Sequence, residues 1–280
     1  MSILSRLLPE HIEALLAPDA LHLRRTGGSE SFAVAAAAAD EGEGEGEAEA
    51  WRAPLAELDL ALRKRPARAV APRMPAALAA LLAPRLDIVL SEHFARWQVL
   101  PWQADVESAV EREAWARHHF REVYGEAGRH WQVRCAASAP GEAMPACAID
   151  ATLLAELQRL AAGHGCRLGR VRPLLAIAAE RWRRKLPRGI AWLAVFESGR
   201  LSLGLLRDRR WQALHGAPIA TPDERGEQLA GLVTRTALAA GLTPGEGRLL
   251  LCGEGAASCP APLPAAAVQR LGSVLGWTAA

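Results

Sequence analysis

Aromatic residues other than tryptophan are scarce, with one Tyr and four Phe against nine Trp in 280 residues. Tryptophan must therefore fill most of the gaps in a core rich in alanine. The five cysteines, Cys135, Cys147, Cys166, Cys252 and Cys259, form no Cys-x-x-Cys pair and are odd in number. That excludes a zinc ribbon and a disulfide framework and fits a reducing compartment. No G-x-S-x-G elbow and no P-loop occurs, so acyl transfer and P-loop phosphoryl chemistry lack support. No apolar run approaches the roughly 20 residues of a membrane helix, and the first residues are interrupted by Pro9, Glu10, His11 and Glu13. We expect neither a signal peptide nor a membrane span. Charge of one sign is also missing: 33 basic against 31 acidic residues give a formal net charge of +2. Nucleic-acid binding is not expected unless that charge is clustered.

Half of the chain is hydrophobic, enough for one large core or two modest ones. Residues 35–50 read AAAAADEGEGEGEAEA, an alternation with nothing to bury, which predicts a disordered loop. Residues 1–85 form the least regular part, with a short strand at 19–25 and a helix at 55–62. From Leu86 the pattern sharpens. LDIVL and FARWQVL, separated by Ser91-Glu92-His93, read as a hairpin. A charged helix over 106–124, strands at 131–137 and 146–149, a helix at 151–162, a strand at 168–171 and a helix at 174–185 complete a first lobe, 86–186. The second lobe, 187–280, opens with AWLAVF, the turn Glu197-Ser198-Gly199-Arg200, LSLGLL, the turn Arg207-Asp208-Arg209, and WQALH. That is a three-strand meander. A helix at 223–240, a buried strand at 248–252 and a last helix at 264–275 follow.

A meander, a helix, a parallel-type strand and another helix is the element order of a ribonuclease H-like lobe, and the first half reads as a looser copy. The phrases LDIVLSEHFARWQVLPW, ARHHFREVYG, RVRPLLAIAAERWRRKL and AWLAVFESGRLSLGLLRDRRWQAL resemble bacterial proteins related to the pilus-assembly protein PilM and the cytoplasmic part of the type II secretion L component. The resemblance is strongest over residues 86–215. It implies an α/β, actin-like fold of duplicated ribonuclease H-like lobes in degenerate form. It further implies a cytoplasmic, non-enzymatic scaffold at the inner face of the inner membrane. The implied partner is an inner-membrane pilus or secretion assembly protein that holds the chain peripherally at the membrane.

Actin-like ATPases carry Asp and Gly in the first hairpin of each lobe and a Gly-Gly turn after a late strand. Ser91-Glu92-His93 has no glycine, and Glu197-Ser198-Gly199-Arg200 has one, so the phosphate cradle is eroded. Gly199, Gly253 and Gly255 are the candidate nucleotide contacts, although a Gly pair after a strand is also an ordinary strand-to-helix connection. No cofactor is expected, with Mg-ATP and nucleotide-switched lobe closure kept as the alternative. Asp87 reads either as a metal-associated carboxylate or as a solvent-facing residue of an edge strand. Asp87, Glu197 and Asp208 form no cluster of the kind a two-metal nuclease needs. His118 and His119, adjacent on a helix, are poorly disposed to share one ion, and Cys252 and Cys259 lack a neighbouring His/Asp pattern. No metal site is expected. Trp97 and Trp102, beside Pro101, are the candidate partner groove, their alternative being core filling. RWRRK at 181–185 and RDRRW at 207–211 interleave cations with tryptophan. Such segments suit a lipid surface or an acidic partner, or are simply a solvated helix end and a polar turn.

Overall fold

The structure, a computed structural model, describes residues 10–25, 28–34, 50–65, 82–259 and 265–276. The loop expected at 35–50 lies, but for Ala50, outside the described residues. The chain divides into two compact units: Met1–Ser91 with Thr152–Arg172 and Trp277–Ala280, and Glu92–Ala151 with Pro173–Gly276.

The first unit is built on a five-stranded sheet of order β3-β2-β1-β4-β8. Its strands are β1 (His11–Leu16), β2 (Ala20–Arg25), β3 (Gly28–Ala33), β4 (Arg85–Leu90) and β8 (Arg167–Pro173). β1, β2 and β3 form an antiparallel meander, and β4 lies parallel to β1 in the register His11↔Arg85. β1 alternates strictly, with Ile12, Ala14 and Leu16 buried and His11, Glu13 and Leu15 on the other face. Helices α1 (Arg52–Arg63) and α3 (Ala151–Gly163, all but its first residue in this unit) bury Leu55, Leu58 and Leu62, and Leu153, Leu157 and Leu160, at helical spacing.

The second unit holds a sheet of order β11-β10-β9-β12-β13 and a smaller one of order β5-β7-β6. The larger contains β9 (Ile190–Glu197), β10 (Arg200–Arg207), β11 (Arg210–Pro218), β12 (Gly245–Gly253) and β13 (Ala265–Arg270). β9, β10 and β11 are an antiparallel meander, and β12 runs parallel to both β9 and β13. Helix α5 (Arg225–Ala239) packs Leu229, Leu232 and Val233 into a core with Trp192, Phe196, Leu203 and Leu251. The smaller sheet, β5 (Ala95–Leu100), β6 (Trp131–Cys135) and β7 (Met144–Asp150), is antiparallel. It shares a core of Leu100, Phe120, Val133 and Met144 with helix α2 (Ala109–Tyr124). Helix α4 spans Leu174–Trp182.

The two five-stranded sheets have one strand order: a meander, then a strand parallel to its first, then a fifth strand beyond. The duplication is therefore present, with different boundaries from those expected. The described residues of 10–34 are not an irregular preface, because β1, β2 and β3 carry the meander of the first sheet. The expected hairpin of 86–100 does not form. β4 pairs with β1, whereas β5 pairs with β7, and the continuous burial of β4 is that of a central parallel strand. The expected terminal helix is instead β13, where the main chain of the buried strand β12 takes a fifth partner and overrides alanine's helix propensity.

Candidate functional site

The turns that sequence reasoning assigned to two separate lobes meet inside the second unit. Ser198 and Gly199 form the two-residue link between β9 and β10, with Glu197 paired to Arg200, and Gly199 has φ +69°. The His93 ring lies 3.8 Å from where a Gly199 Cβ would stand. Its Nε2 is 2.9 Å from the Ser198 carbonyl oxygen, which can only accept, so that nitrogen carries the proton. Beside it, the Glu92 backbone N–H donates to Glu197 Oε2 at 2.9 Å. The Glu92 carboxyl receives the Leu175 N–H on Oε1 and the Trp97 indole N–H on Oε2, both at 2.6 Å. One residue thus ties β5 and the start of α4 through its carboxyl group and the end of β9 through its backbone N–H. Burial first and the Glu197 charge second push Glu92 up to about 8, against the opposing pull of those two N–H donors and Arg200. Burial and the neighbouring Glu197 thus favour the protonated form of Glu92. Burial, with the Glu92 charge, also raises the Cys147 thiol far above its ordinary range.

Gly253 ends β12 with φ +93°, and a Cβ there would stand 2.1 Å from the Phe196 carbonyl oxygen. Gly255 has φ +71°, and the end of the flexible Arg225 side chain, its guanidinium, stands 2.1 Å from the missing Cβ. Close approach of backbone thus requires glycine at 253, and the positive φ favours it at 255. The first hairpin of the first unit is not Ser91-Glu92-His93 but Pro18-Asp19, between β1 and β2, and it too lacks glycine.

Trp97 and Trp102 are separated by this arrangement. Trp97 serves the buried acid. Trp102 is 48% exposed and lines a pocket of about 290 Å³ with Pro101, Val106, Trp115, Pro140 and Met144. Local chemistry builds that pocket. Pro101 follows the end of β5, and Ser108 caps α2 by accepting from the Glu111 N–H while the Glu111 carboxylate accepts from the Ser108 N–H. That reciprocal pair holds Glu111 below its usual range. Glu107 and Arg112, joined by an Arg112 Nη1–H bond to the Glu107 carbonyl at 2.6 Å, stand on the rim with Glu142.

Asp87 is neither an edge residue nor a free metal ligand. It is 7% exposed on the central strand β4. It accepts from Arg85 Nε at 2.8 Å, the Arg170 N–H at 2.7 Å and His11 Nε2 at 2.9 Å. Burial pushes it up, but those bonds outweigh burial and hold it below the ordinary value. His118 and His119 reach one carboxylate, Glu122, at 3.3 and 3.2 Å. Among the described residues, no group of three or more His, Cys, Asp or Glu is arranged to hold a metal. Cys252 and Cys259 are buried, and burial raises both thiols, Cys252 to about 12, the opposite of activation. Among the described residues no helix is long and apolar enough to cross a membrane. Sequence reasoning passed over Glu92 as a site residue; its partner Glu197 is 105 positions away, and no local spacing signals such a pair.

No known protein family and no curated protein matches this sequence. Solved structures do match over most of the chain. One is a Bacteroides thetaiotaomicron protein of actin-like ATPase fold and unknown function, 10% identical, with TM-score 0.58 over 91% of this chain and 86% of that one. The cytoplasmic domain of EpsL, an inner-membrane component of the Vibrio cholerae type II secretion system, is 11% identical, with TM-score 0.53 over 95% and 91%. A chain of the PilM–PilN type IV pilus biogenesis complex is 14% identical, with TM-score 0.54 over 88% and 82%. At such identities the likeness is one of fold, and with the two sheets of one strand order it establishes that this chain has the actin-like fold.

Proposed function

We propose that this chain is a non-enzymatic scaffold of an inner-membrane type IV pilus or type II secretion assembly platform. In this reading it works on the cytoplasmic side and seats a short tail of a membrane partner in the Trp102 pocket. The observation that carries the proposal is the half-exposed Trp102 on the wall of an apolar pocket, in a fold shared with EpsL and PilM. At about 290 Å³ the pocket is at the bottom of the roughly 300–1,000 Å³ range of small-molecule sites. That size suits an apolar anchor side chain better than a nucleotide. Trp102 presents a rigid amphipathic ring, Pro101 and Pro140 keep the walls fixed, and the Glu107, Arg112 and Glu142 rim can hold the main chain of an inserted segment.

A second reading, a divergent ATPase switched by nucleotide, draws on Gly199, Gly253 and Gly255, all at positive φ. They lie at or just beyond the carboxyl ends of β9 and β12, where open α/β sheets commonly bind ligands. Gly253 is accounted for without a ligand by its packing on the Phe196 carbonyl, whereas the Arg225 guanidinium beside Gly255 is a group that would attract phosphate. Thermal-shift titration with Mg-ATP and Mg-ADP separates the two readings, since a ligand bound only by the folded state raises its melting temperature. The scaffold reading predicts no saturable shift; a saturable shift, lost on closing the Gly199 turn with a bulkier residue, would favour the switch.

A further inference from the structure

Two basic segments that lie apart in the sequence form one surface in the second unit. The first, residues 181–189, carries Arg181, Arg183, Arg184, Lys185 and Arg188, with no acid among them. The second is the link from β10 to β11, with Arg207, Arg209 and Arg210 around Asp208. Three hydrogen bonds join them. Arg209 Nε donates to the Leu186 carbonyl, the Gly189 N–H to Asp208 Oδ1, and the Asp208 N–H to the Gly189 carbonyl, each at 2.9 Å. Asp208 and Arg209 are the non-glycine residues found at positive φ among the described residues, 53° and 66°. A turn of that shape favours asparagine and glycine, so an arginine there is held by its bond to residue 186.

All eight cations are exposed. The two segments together hold eight basic residues against one acid, leaving 25 basic and 30 acidic in the rest of the chain (33 less 8, 31 less 1). The near-neutral total therefore conceals a concentrated positive face. Helix α4 ends here, and a few cations would suffice to complement its carbonyl end. The cations of the second segment, on a hairpin link, are not explained in that way. Arg210 also reaches Glu142 on the rim of the Trp102 pocket, at 2.5 Å. The basic face and the pocket are thus neighbours on one unit.

We propose that this face binds directly to an anionic phospholipid surface, whose headgroup phosphates meet the arginine fork and lysine ammonium groups. A single-stranded nucleic acid fits less well, since base stacking needs open aromatic faces. The Trp182 ring is instead flanked by the Arg181 guanidinium at 5.1 Å and the Lys185 ammonium at 5.0 Å. The contact needs no protein partner and stands apart from the docking reading.

The test is co-sedimentation of the purified chain with protein-free vesicles, phosphatidylcholine alone or doped with phosphatidylglycerol, at low and high salt. The proposal predicts binding to the doped vesicles only, weakened by salt. It also predicts at least about tenfold weaker binding for the triple variant Arg183→Glu, Arg184→Glu, Arg188→Glu. The variant Arg117→Glu, Arg121→Glu, Arg129→Glu, three exposed arginines on and just beyond helix α2, serves as a charge-matched control and should bind like the parent. Circular dichroism melts establish that both variants fold. No binding to the doped vesicles, equal binding to neutral ones, or binding insensitive to the triple reversal would overturn the proposal. Tighter binding of a DNA duplex than of the doped vesicles at the same salt would also overturn it, in favour of nucleic acid.

Discussion

Among the described residues the first unit buries one carboxyl group, Asp87, and the second a pair, Glu92 and Glu197, and the two units treat them in opposite ways. In the first unit Asp87 is surrounded by donors, Arg85, His11 and the Arg170 N–H, and stays ionised. In the second, Glu92 meets Glu197 across a hydrogen bond from its own backbone and keeps its proton to about pH 8. One strand order thus carries two electrostatic solutions. The first behaves as a structural ion cluster. The second resembles the pKa-shifted arrangement of a ligand site, yet the neighbouring Gly253 is accounted for by its packing on the Phe196 carbonyl.

The largest expected effect comes from breaking the ion cluster. Asp87→Ala should cost about 3 kcal/mol in urea denaturation, because Arg85 and the Arg170 N–H lose their acceptor. Next, Trp97→Phe removes the indole donor from buried Glu92 and should cost about 2 kcal/mol, with hydrogen exchange rising first in β5 and β9.

Acid and alkali should separate the units. The folded pKa of Glu92, about 8, stands above the ordinary 4.5, so between those values the folded chain holds a proton that the unfolded chain has lost. That contribution to stability therefore falls as pH rises from about 4.5 to about 8. Asp87 is shifted downward, so its contribution is complete above the unfolded pKa and is lost as pH falls into the acid range. Glu197→Gln keeps an acceptor for the Glu92 N–H while removing the charge. It should flatten the alkaline decline by on the order of 1 kcal/mol, measured by thermal melts at pH 6 and pH 8. The smallest effect on stability is expected at Trp102, half-exposed on the pocket wall. Trp102→Ala should cost less than about 0.5 kcal/mol.

The second unit was the more legible in the sequence. Its strands β9, β10 and β11 are apolar runs parted by Glu197-Ser198-Gly199-Arg200 and Arg207-Asp208-Arg209, so register and turns are both written locally. The first unit hid the same meander because β1 puts His11 and Glu13 on one face, and those residues read as an interruption. The parallel pairing of His11 with Arg85 spans a distance that no local pattern encodes. β4 and β5, adjacent in the chain, looked like a hairpin for the same reason: their true partners, β1 and β7, are remote. Trp102, which follows a strand end and a proline, lines a pocket. Trp97 read in the sequence as the same kind of candidate, and its distinct role depends on Glu92 folding back beneath it.

The central claim is the Trp102 pocket as a docking site. Its most direct test is affinity capture from detergent-solubilised inner membranes with the parent chain and Trp102→Ala, both folded, followed by mass spectrometry. The account predicts that the parent retains an identified pilus or secretion assembly protein and that Trp102→Ala loses it. Equal recovery of that protein by both chains, or recovery of no assembly protein by the parent, would contradict it.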